Sequence, residues 1–324
     1  MLVPSTNGLL KTRLLPGSVR QISENSGAWC PRVLSFVTHE TRVTYRIVYR
    51  DLSASLIPGT LFSLAALHAT NRWSPQSAAD LAVRCFVYFA LYIYCFCLSN
   101  QIVGYEEDRL NKPDRVLPSG LISMEGALRR WWIAMIAFPT AAFLLGEWAM
   151  LGWAIAWQLI FLSYNHLGLD RHWFTKNVVF ITFGSVAQLG PAWQLATPLD
   201  ATGWRWVWIV SLAFGLTLNL QDLRDVEGDR EIGRRTLPIA LGEPLSRVLI
   251  AGGIVGLPIA THYGLVASTP ITLPIVAVEI GLAVLNIVVA VRTMQLTNPQ
   301  ADHKTYMWHT YWFCGVLASA WVIL

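Results

Sequence analysis

Apolar residues along the chain fall in blocks of about twenty, the helical length that crosses roughly 30 Å of hydrocarbon. Nine blocks lie at approximately 51–70, 79–102, 125–146, 148–166, 176–197, 204–222, 245–267, 271–291 and 305–324. Each predicts a spanning helix, because in lipid the backbone amides must be satisfied within the segment itself. Pro139, Pro191, Pro258 and Pro274 fall inside blocks and predict kinks, tolerable where neighbouring helices satisfy the freed carbonyls. Residues 1–45 are mixed and polar, without the apolar core of a secretory signal, and read as a tail with a short surface helix. The pattern therefore predicts an all-α polytopic membrane domain over residues 46–324, preceded by a tail over 1–45.

Composition agrees with the pattern. Of 324 residues, 54% are hydrophobic and 14% charged, against about 25% charged in an average soluble domain. A soluble globular protein, a disordered chain and a disulfide scaffold are excluded. Nucleic-acid binding is not supported, since the basic residues border apolar blocks instead of forming a face of their own. Cys30, Cys85, Cys95, Cys97 and Cys314 read mostly as small buried hydrophobes; Cys95 and Cys97, two apart on a helix, point to different faces.

The net charge of +4 matters less than its placement. The tail and the loops after the second, fourth, sixth and eighth blocks hold 21 of the 24 Lys and Arg residues, leaving Arg72, Arg84 and Arg205 elsewhere. That asymmetry predicts a cytoplasmic N-terminus and cytoplasmic loops after even-numbered blocks. An endoplasmic reticulum or other internal membrane is expected if the chain is eukaryotic.

Nine of the 20 acidic residues sit in two windows, Asn100–Arg115 and Asp222–Pro238, each directly after an apolar block. Asp222, Asp225 and Asp229 are at i, i+3 and i+7, which puts them on one helix face. Asn100, Gly104 and Asp108 are at i, i+4 and i+8 and share another. Facing carboxylate rows repel unless cations lie between them. Mg²⁺ is the natural occupant, since it takes one or two carboxylates and completes its shell with waters and phosphate oxygens. Lys112, Arg115, Arg224, Arg230 and Arg234 supply donors for a polyanion. A diphosphate whose apolar tail enters the membrane interior fits this chemistry. The substrate and membrane lipid are the expected partners, with no protein partner called for.

With these windows, the sequence resembles the UbiA-type intramembrane prenyltransferase superfamily, whose NxxxDxxxD and DxxxD motifs follow the second and sixth of nine helices around a central cavity. The resemblance extends to Asn111-Lys-Pro-Asp-Arg115, Leu117-Pro-Ser-Gly120 and Gly233-Arg-Arg-Thr-Leu-Pro238, and covers about residues 45–324. It implies that Asn100, Asp108, Asp222, Asp225 and Asp229 bind Mg²⁺ and diphosphate, with Asp108, Asp225 and Asp229 the catalytic set. It also implies that Lys112 and Arg115 contact phosphate oxygens, and that Tyr164, Lys176 and Asn177 lie near the diphosphate.

The chain departs from the pattern at Gly104, where the first aspartate of NxxxDxxxD is usual, at Gln101 where Asp often follows the Asn, and at Val116 in place of a common proline. Counted along one continuous helix, Glu106 and Glu107 are rotated by about 200° and 300° from position 104, so neither simply substitutes for the lost acid. Losing a first-motif carboxylate weakens the case for activating an acceptor and favours a reaction needing none, in which the carbocation folds onto its own double bonds. Some fungal and bacterial members of the superfamily are membrane-bound terpene cyclases that resemble this chain in a degenerate first motif. The expectation is an Mg²⁺-dependent terpene cyclase acting on a polyprenyl diphosphate, farnesyl diphosphate first. The alternative is prenyl transfer to an aromatic or lipid acceptor. A transporter is a third class, but its ionisable groups would lie near the bilayer midplane, whereas these cluster at one edge. Trp131, Trp132, Trp153, Trp157, Trp193 and Trp208 are candidates for stabilising cations through their ring faces. Glu279, midway along the eighth block, reads either as a cavity base or as an acid bonded to a neighbouring helix. His262 and His309 read as packing residues.

Overall fold

The computed structural model describes the backbone from Ser18 to Leu324 and side chains from Val33 onward, except those of Leu110 and Asn111. Expectations for residues 1–17 and for the Cys30 side chain lie outside the described residues. Two units are distinguished, Met1–Tyr45 and Arg46–Leu324. A 31-residue helix, Ser18–Val48 (α1), begins in the first.

The second unit is helical, and among the described residues it has a single isolated β-bridge, His172 to Arg235. Its long helices are Leu56–Ala69 (α2), Pro75–Val103 (α3), Met124–His166 (α5), Phe180–Ala196 (α6), Ala201–Thr217 (α7), Glu243–Thr261 (α10), Leu273–Gln295 (α11) and Pro299–Ile323 (α12). Three short helices, Tyr105–Asn111 (α4), Val226–Glu231 (α8) and Leu237–Leu241 (α9), lie in the loops after α3 and α7. Successive long helices pack side by side, and α12 returns to α2, so the bundle closes on itself with α6 crossing to α2 and α3.

Seven helices among the described residues are long and apolar enough to cross a membrane, where the pattern predicted nine. Two features account for the difference. The blocks at 125–146 and 148–166 both lie in α5, but at Gly146 (φ −173°, ψ 37°) and Glu147 (φ 54°, ψ −143°) the backbone leaves the helix. Gln158 Nε2 donates to Met135 O at 2.8 Å, so α5 is two helices folded back on each other, as the two blocks predict, and counts once among the seven. The last block lies in α12, whose first two turns carry Gln300, Asp302, His303 and Lys304 and dilute its apolarity.

Burial separates centre from periphery. The apolar windows of α6 and α7 are 72% buried, whereas those of α5 and α11 are 22% buried. Trp132, Ile133, Ile136, Leu144 and Trp148 on α5 are exposed, as expected of a helix with lipid on one side. The interior is aromatic: Phe62 on α2 meets Trp193 and Trp206 with ring centroids 5.4 and 6.1 Å apart, and Phe214 stacks on Phe313 at 4.1 Å. Gly59 allows α2 and α3 to meet closely, since a Cβ there would lie 2.6 Å from the Phe89 ring. Cys85, Cys95 and Cys97 are buried free thiols, and Cys314 is partly buried. Glu279 is bonded to the neighbouring helical segment, 2.8 Å from His262 Nδ1, and lines a separate apolar cavity between α10, α11 and α12. His309 is buried against Thr217 Oγ1 at 2.8 Å.

Candidate active site

The ends of α3 and α7 meet over a cavity of about 230 Å³ that runs from a charged mouth into the bundle. Asn100, Asp108, Lys112, Arg115, Tyr164, Lys176, Arg224, Asp225 and Asp229 all line it. These residues come from four parts of the chain separated by as many as 129 positions. Only the closed bundle brings them together.

Neither motif helix runs straight through its acids. α3 stops at Gly104 (φ −86°, ψ 19°) and α4 restarts at Tyr105. Two hydrogen bonds of helical spacing carry the chain across, Gly104 N to Asn100 O at 2.8 Å and Asp108 N to Gly104 O at 2.9 Å. After α7 the chain tightens into a 3₁₀ segment, Leu218–Arg224, and α8 begins only after Asp225. The spacing Asp222, Asp225, Asp229 therefore does not place three carboxylates on one α-helical face. Asp225 and Asp229 remain one turn apart, with Asp229 N donating to Asp225 O at 2.9 Å, and both reach the cavity.

Asp222 is instead turned inward and fully buried. Its two oxygens accept from Lys176 Nζ at 2.8 Å and Asn177 Nδ2 at 2.6 Å. Asn177 donates its other proton to Asn219 Oδ1 and accepts from Gln221 Nε2 at 2.8 Å. Neither Asp222 nor Asn177 lines the cavity. The structure thus places both expected site residues one layer behind the cavity wall, where they bond to Lys176 and Gln221, which do face the cavity. Lys176 and Asn177 are set by a π-helical turn at Phe174–Val179, which sequence periodicity does not signal. Arg230 is exposed on α8 and outside the cavity lining, whereas Arg234 lines it.

Arg234 joins three segments, with 2.7 Å to Asp170, 3.0 Å to Glu107 and 3.1 Å to Asp229. The strand-like pairing of Trp173 N with Arg235 O at 3.0 Å and Arg235 N with Arg171 O at 2.7 Å holds it there. In the first motif, Arg115 Nη1 donates to both oxygens of Asp108 at 2.9 and 2.7 Å. Arg224 lies over the Tyr306 ring at 4.5 Å, with its Nη1 2.7 Å from His303 Nδ1.

Burial perturbs the charged groups at the mouth in both directions. Burial pushes the Asp108 carboxyl above its ordinary value against the pull of Arg115. It raises Asp229 likewise against Lys176, and it lowers Lys112, helped by nearby Arg115. Asp229 Oδ2 is buried without a hydrogen-bond partner. Among the described residues no three acids, His or Cys converge as a preformed metal cage. The donor set nevertheless suits Mg²⁺: Asn100, Asp108, Asp225 and Asp229 line one cavity, Asp229 Oδ2 has only the 3.6 Å ion pair with Lys176 and no hydrogen bond, and Mg²⁺ completes such a shell with water and phosphate.

Beyond the mouth the wall is aromatic and neutral. Tyr92 stacks on Trp157 at 4.3 Å and Tyr164 on Phe180 at 3.9 Å, while Phe96 and Phe214 add ring surface. Trp157 Nε1 is satisfied by Tyr92 O at 3.0 Å, and Tyr92 Oη by Gly184 O at 3.0 Å. Of the six tryptophans read as candidates, only Trp157 faces the cavity. The remaining rings that sequence reasoning missed, Tyr92, Phe96, Phe180 and Phe214, sit in uniformly apolar helices whose inward side no local pattern reveals.

These features define a helical membrane enzyme with an acid- and base-rimmed mouth over an aromatic pocket. Residues 55–313 match the UbiA prenyltransferase family, and the chain belongs to it. Relatives include somaliensene A/B synthase of Streptomyces somaliensis, 36% identical over 88% of this chain and 93% of its own length. Two others come from Hericium erinaceus: diterpene cyclase eriG, 35% identical over 88% of this chain and 90% of its own, and polyprenyl transferase eriF, 33% identical over 88% and 96%. Among solved structures, digeranylgeranylglyceryl phosphate synthase in membranes aligns with a TM-score of 0.62 at 18% identity, covering 87% of this chain and 98% of that one. A UbiA homolog from Archaeoglobus fulgidus bound to GPP and Mg²⁺ aligns at 0.58 and 14% identity, covering 87% and 100%.

Proposed function

We propose that this protein is a membrane-bound, Mg²⁺-dependent terpene cyclase that ionises a polyprenyl diphosphate and folds the resulting cation within the aromatic pocket. The observation that carries the reading is the division of the cavity. Its charged groups gather at the mouth, and the depth offers rings with neutral Ser185 and Gln188. That ring surface suits a hydrocarbon cation. Among the described residues, the one charged side chain lining the cavity outside the two motif windows and the Lys176 turn is Asp51, whose Oδ2 accepts from Cys97 Sγ at 3.2 Å. The two relatives named as somaliensene synthase and diterpene cyclase support it.

Asn100, Asp108, Asp225 and Asp229 would hold Mg²⁺, which when bound withdraws charge from the diphosphate oxygens as the carbon–oxygen bond breaks. Lys112, Arg115, Arg224 and Arg234 bind and orient the leaving group, and their fixed charges favour it most when it carries the full electron pair. Asp222 and Asn177 keep Lys176 aimed at the mouth. Tyr92, Trp157 and Phe180 present ring faces to the allylic cation, and the closed bundle keeps water from quenching it. Loss of a proton to form an alkene, or capture of one water, ends the reaction.

Membranes containing the protein, given Mg²⁺ and geranyl, farnesyl or geranylgeranyl diphosphate without acceptor, are expected to release a cyclic hydrocarbon or terpene alcohol detectable by gas chromatography. Farnesyl diphosphate is the chain length read from the sequence; the name of the 35%-identical diterpene cyclase brings geranylgeranyl diphosphate forward beside it. EDTA is expected to silence the reaction. The similarity to polyprenyl transferase eriF favours a second reading, prenyl transfer; product appearing only after a phenolic or lipid acceptor is added would establish it and end the cyclase reading. The proposed orientation puts loops 103–123 and 223–244 in the cytoplasm, so glycosylation tags there stay unmodified while one in 198–203 is modified. The reverse pattern refutes it.

A further inference from the structure

Gly104 and Glu107 meet at the break between α3 and α4. A Cβ built on Gly104 would lie 2.9 Å from Asn100 O and 3.8 Å from Glu107 Oε2. The tight contact is with the Asn100 carbonyl, while Glu107 Oε2 stands at ordinary van der Waals distance, so the Glu107 carboxylate borders the place where a side chain at 104 would begin. The angular count that set Glu107 aside assumed one continuous helix; the break at Gly104 re-aims α4 and brings Glu107 into the cavity wall. Its Oε1 is 3.0 Å from Arg234 Nη1 and 3.8 Å from Lys112 Nζ. The same Arg234 nitrogen reaches Asp229 at 3.1 Å, and Lys112 lies 4.0 Å from Asp108. Two cationic side chains thus tie Glu107 to one carboxylate from each motif. Glu106, by contrast, is exposed and paired with Arg109 at 3.0 Å.

We infer that Glu107 supplies the carboxylate missing at position 104, serving as a ligand for a divalent cation at the cavity mouth. The inference rests on the diphosphate site proposed above. When a diphosphate enters, Lys112 and Arg234 turn to its oxygens, and Glu107, partly buried, is left needing a replacement positive charge. A divalent cation shared with the diphosphate supplies it. A purely structural Glu107 would instead keep its bond to Arg234 and be indifferent to metal.

The test is Mn²⁺ titration of the full-length protein in detergent with inorganic diphosphate present, read by electron paramagnetic resonance. Glu107→Gln is expected to weaken Mn²⁺ binding about tenfold or more, while Glu106→Gln stays within about twofold, as for an exposed charge. Wild-type affinity in Glu107→Gln, alongside loss of binding in Asp225→Asn, overturns the inference and leaves the diphosphate site standing. No Mn²⁺ uptake by the wild type would instead sink the proposed function. Melting without metal checks folding. If Glu107→Gln does not fold, Glu107→Asp keeps the charge but withdraws it by one methylene, and about threefold weaker binding is expected given the strict geometry Mg²⁺-type sites demand. Unchanged binding in that variant refutes the inference.

Discussion

At the end of α3 the chain crosses Gly104 with its hydrogen-bond spacing intact, and both acids that follow, Glu107 and Asp108, face the cavity. At the end of α7 it tightens into a 3₁₀ segment instead, so the first acid, Asp222, turns into the core while Asp225 and Asp229 turn out. The partners differ as well. Asp108 accepts two short hydrogen bonds from Arg115, whereas Asp229 accepts from Arg234 at 3.1 Å and lies 3.6 Å from Lys176 Nζ through its other oxygen, and Asp225 accepts a 3.2 Å bond from Arg224 at the cavity edge. Two windows of similar composition thus divide their acids between two uses. Both line the cavity with acids already matched by bases, and the second also uses Asp222 to brace the wall.

The largest test of that division concerns the outer acids. Asp225→Asn and Asp229→Asn are each expected to lower turnover by about a thousandfold, in the range seen when a preorganised charge-stabilising group is lost, with normal membrane insertion. Asp108→Asn should lose about a hundredfold or more, since it also frees Arg115 to move. Retained activity in any two at saturating Mg²⁺ would end the metal-site reading. A smaller effect of a different kind is expected at Asp222. An Asn there has one acceptor oxygen for two donors, and its amide would face the Asn177 amide. Removing one member of a buried charged pair costs about 3 kcal/mol or more, so Asp222→Asn should melt at a clearly lower temperature even without ligand. If Asp222→Asn melts like the wild type yet loses only metal affinity, the two motifs are alike after all. The smallest effect is expected at Arg230, where an exposed side chain outside the cavity predicts that Arg230→Ala keeps turnover within about twofold. A larger loss would return Arg230 to the diphosphate.

Much of the protein was legible along the chain because its signals are local. Runs of apolar residues long enough for a bilayer predicted the helices, and the acids after the second and sixth runs marked where chemistry gathers. The spans were legible at α5, whose halves fold back on each other at Gly146 and Glu147, and less so at α12, which opens with polar turns. The aromatic pocket was hardly legible at all. Six tryptophans stood out by type, yet Trp157 alone reaches the cavity, joined by Tyr92, Phe96 and Phe180 from helices that are apolar on every side.

The sequence by itself determined a helical membrane protein with two acidic clusters, because bilayer length and charge placement are properties of contiguous segments. The tertiary structure decided which acids face the cavity. Asp222 was lost to the core and Glu107 gained for the cavity through small backbone departures, a 3₁₀ segment and a break at a glycine. Such departures shift every later side chain by tens of degrees, and a count at 3.6 residues per turn carries no record of them.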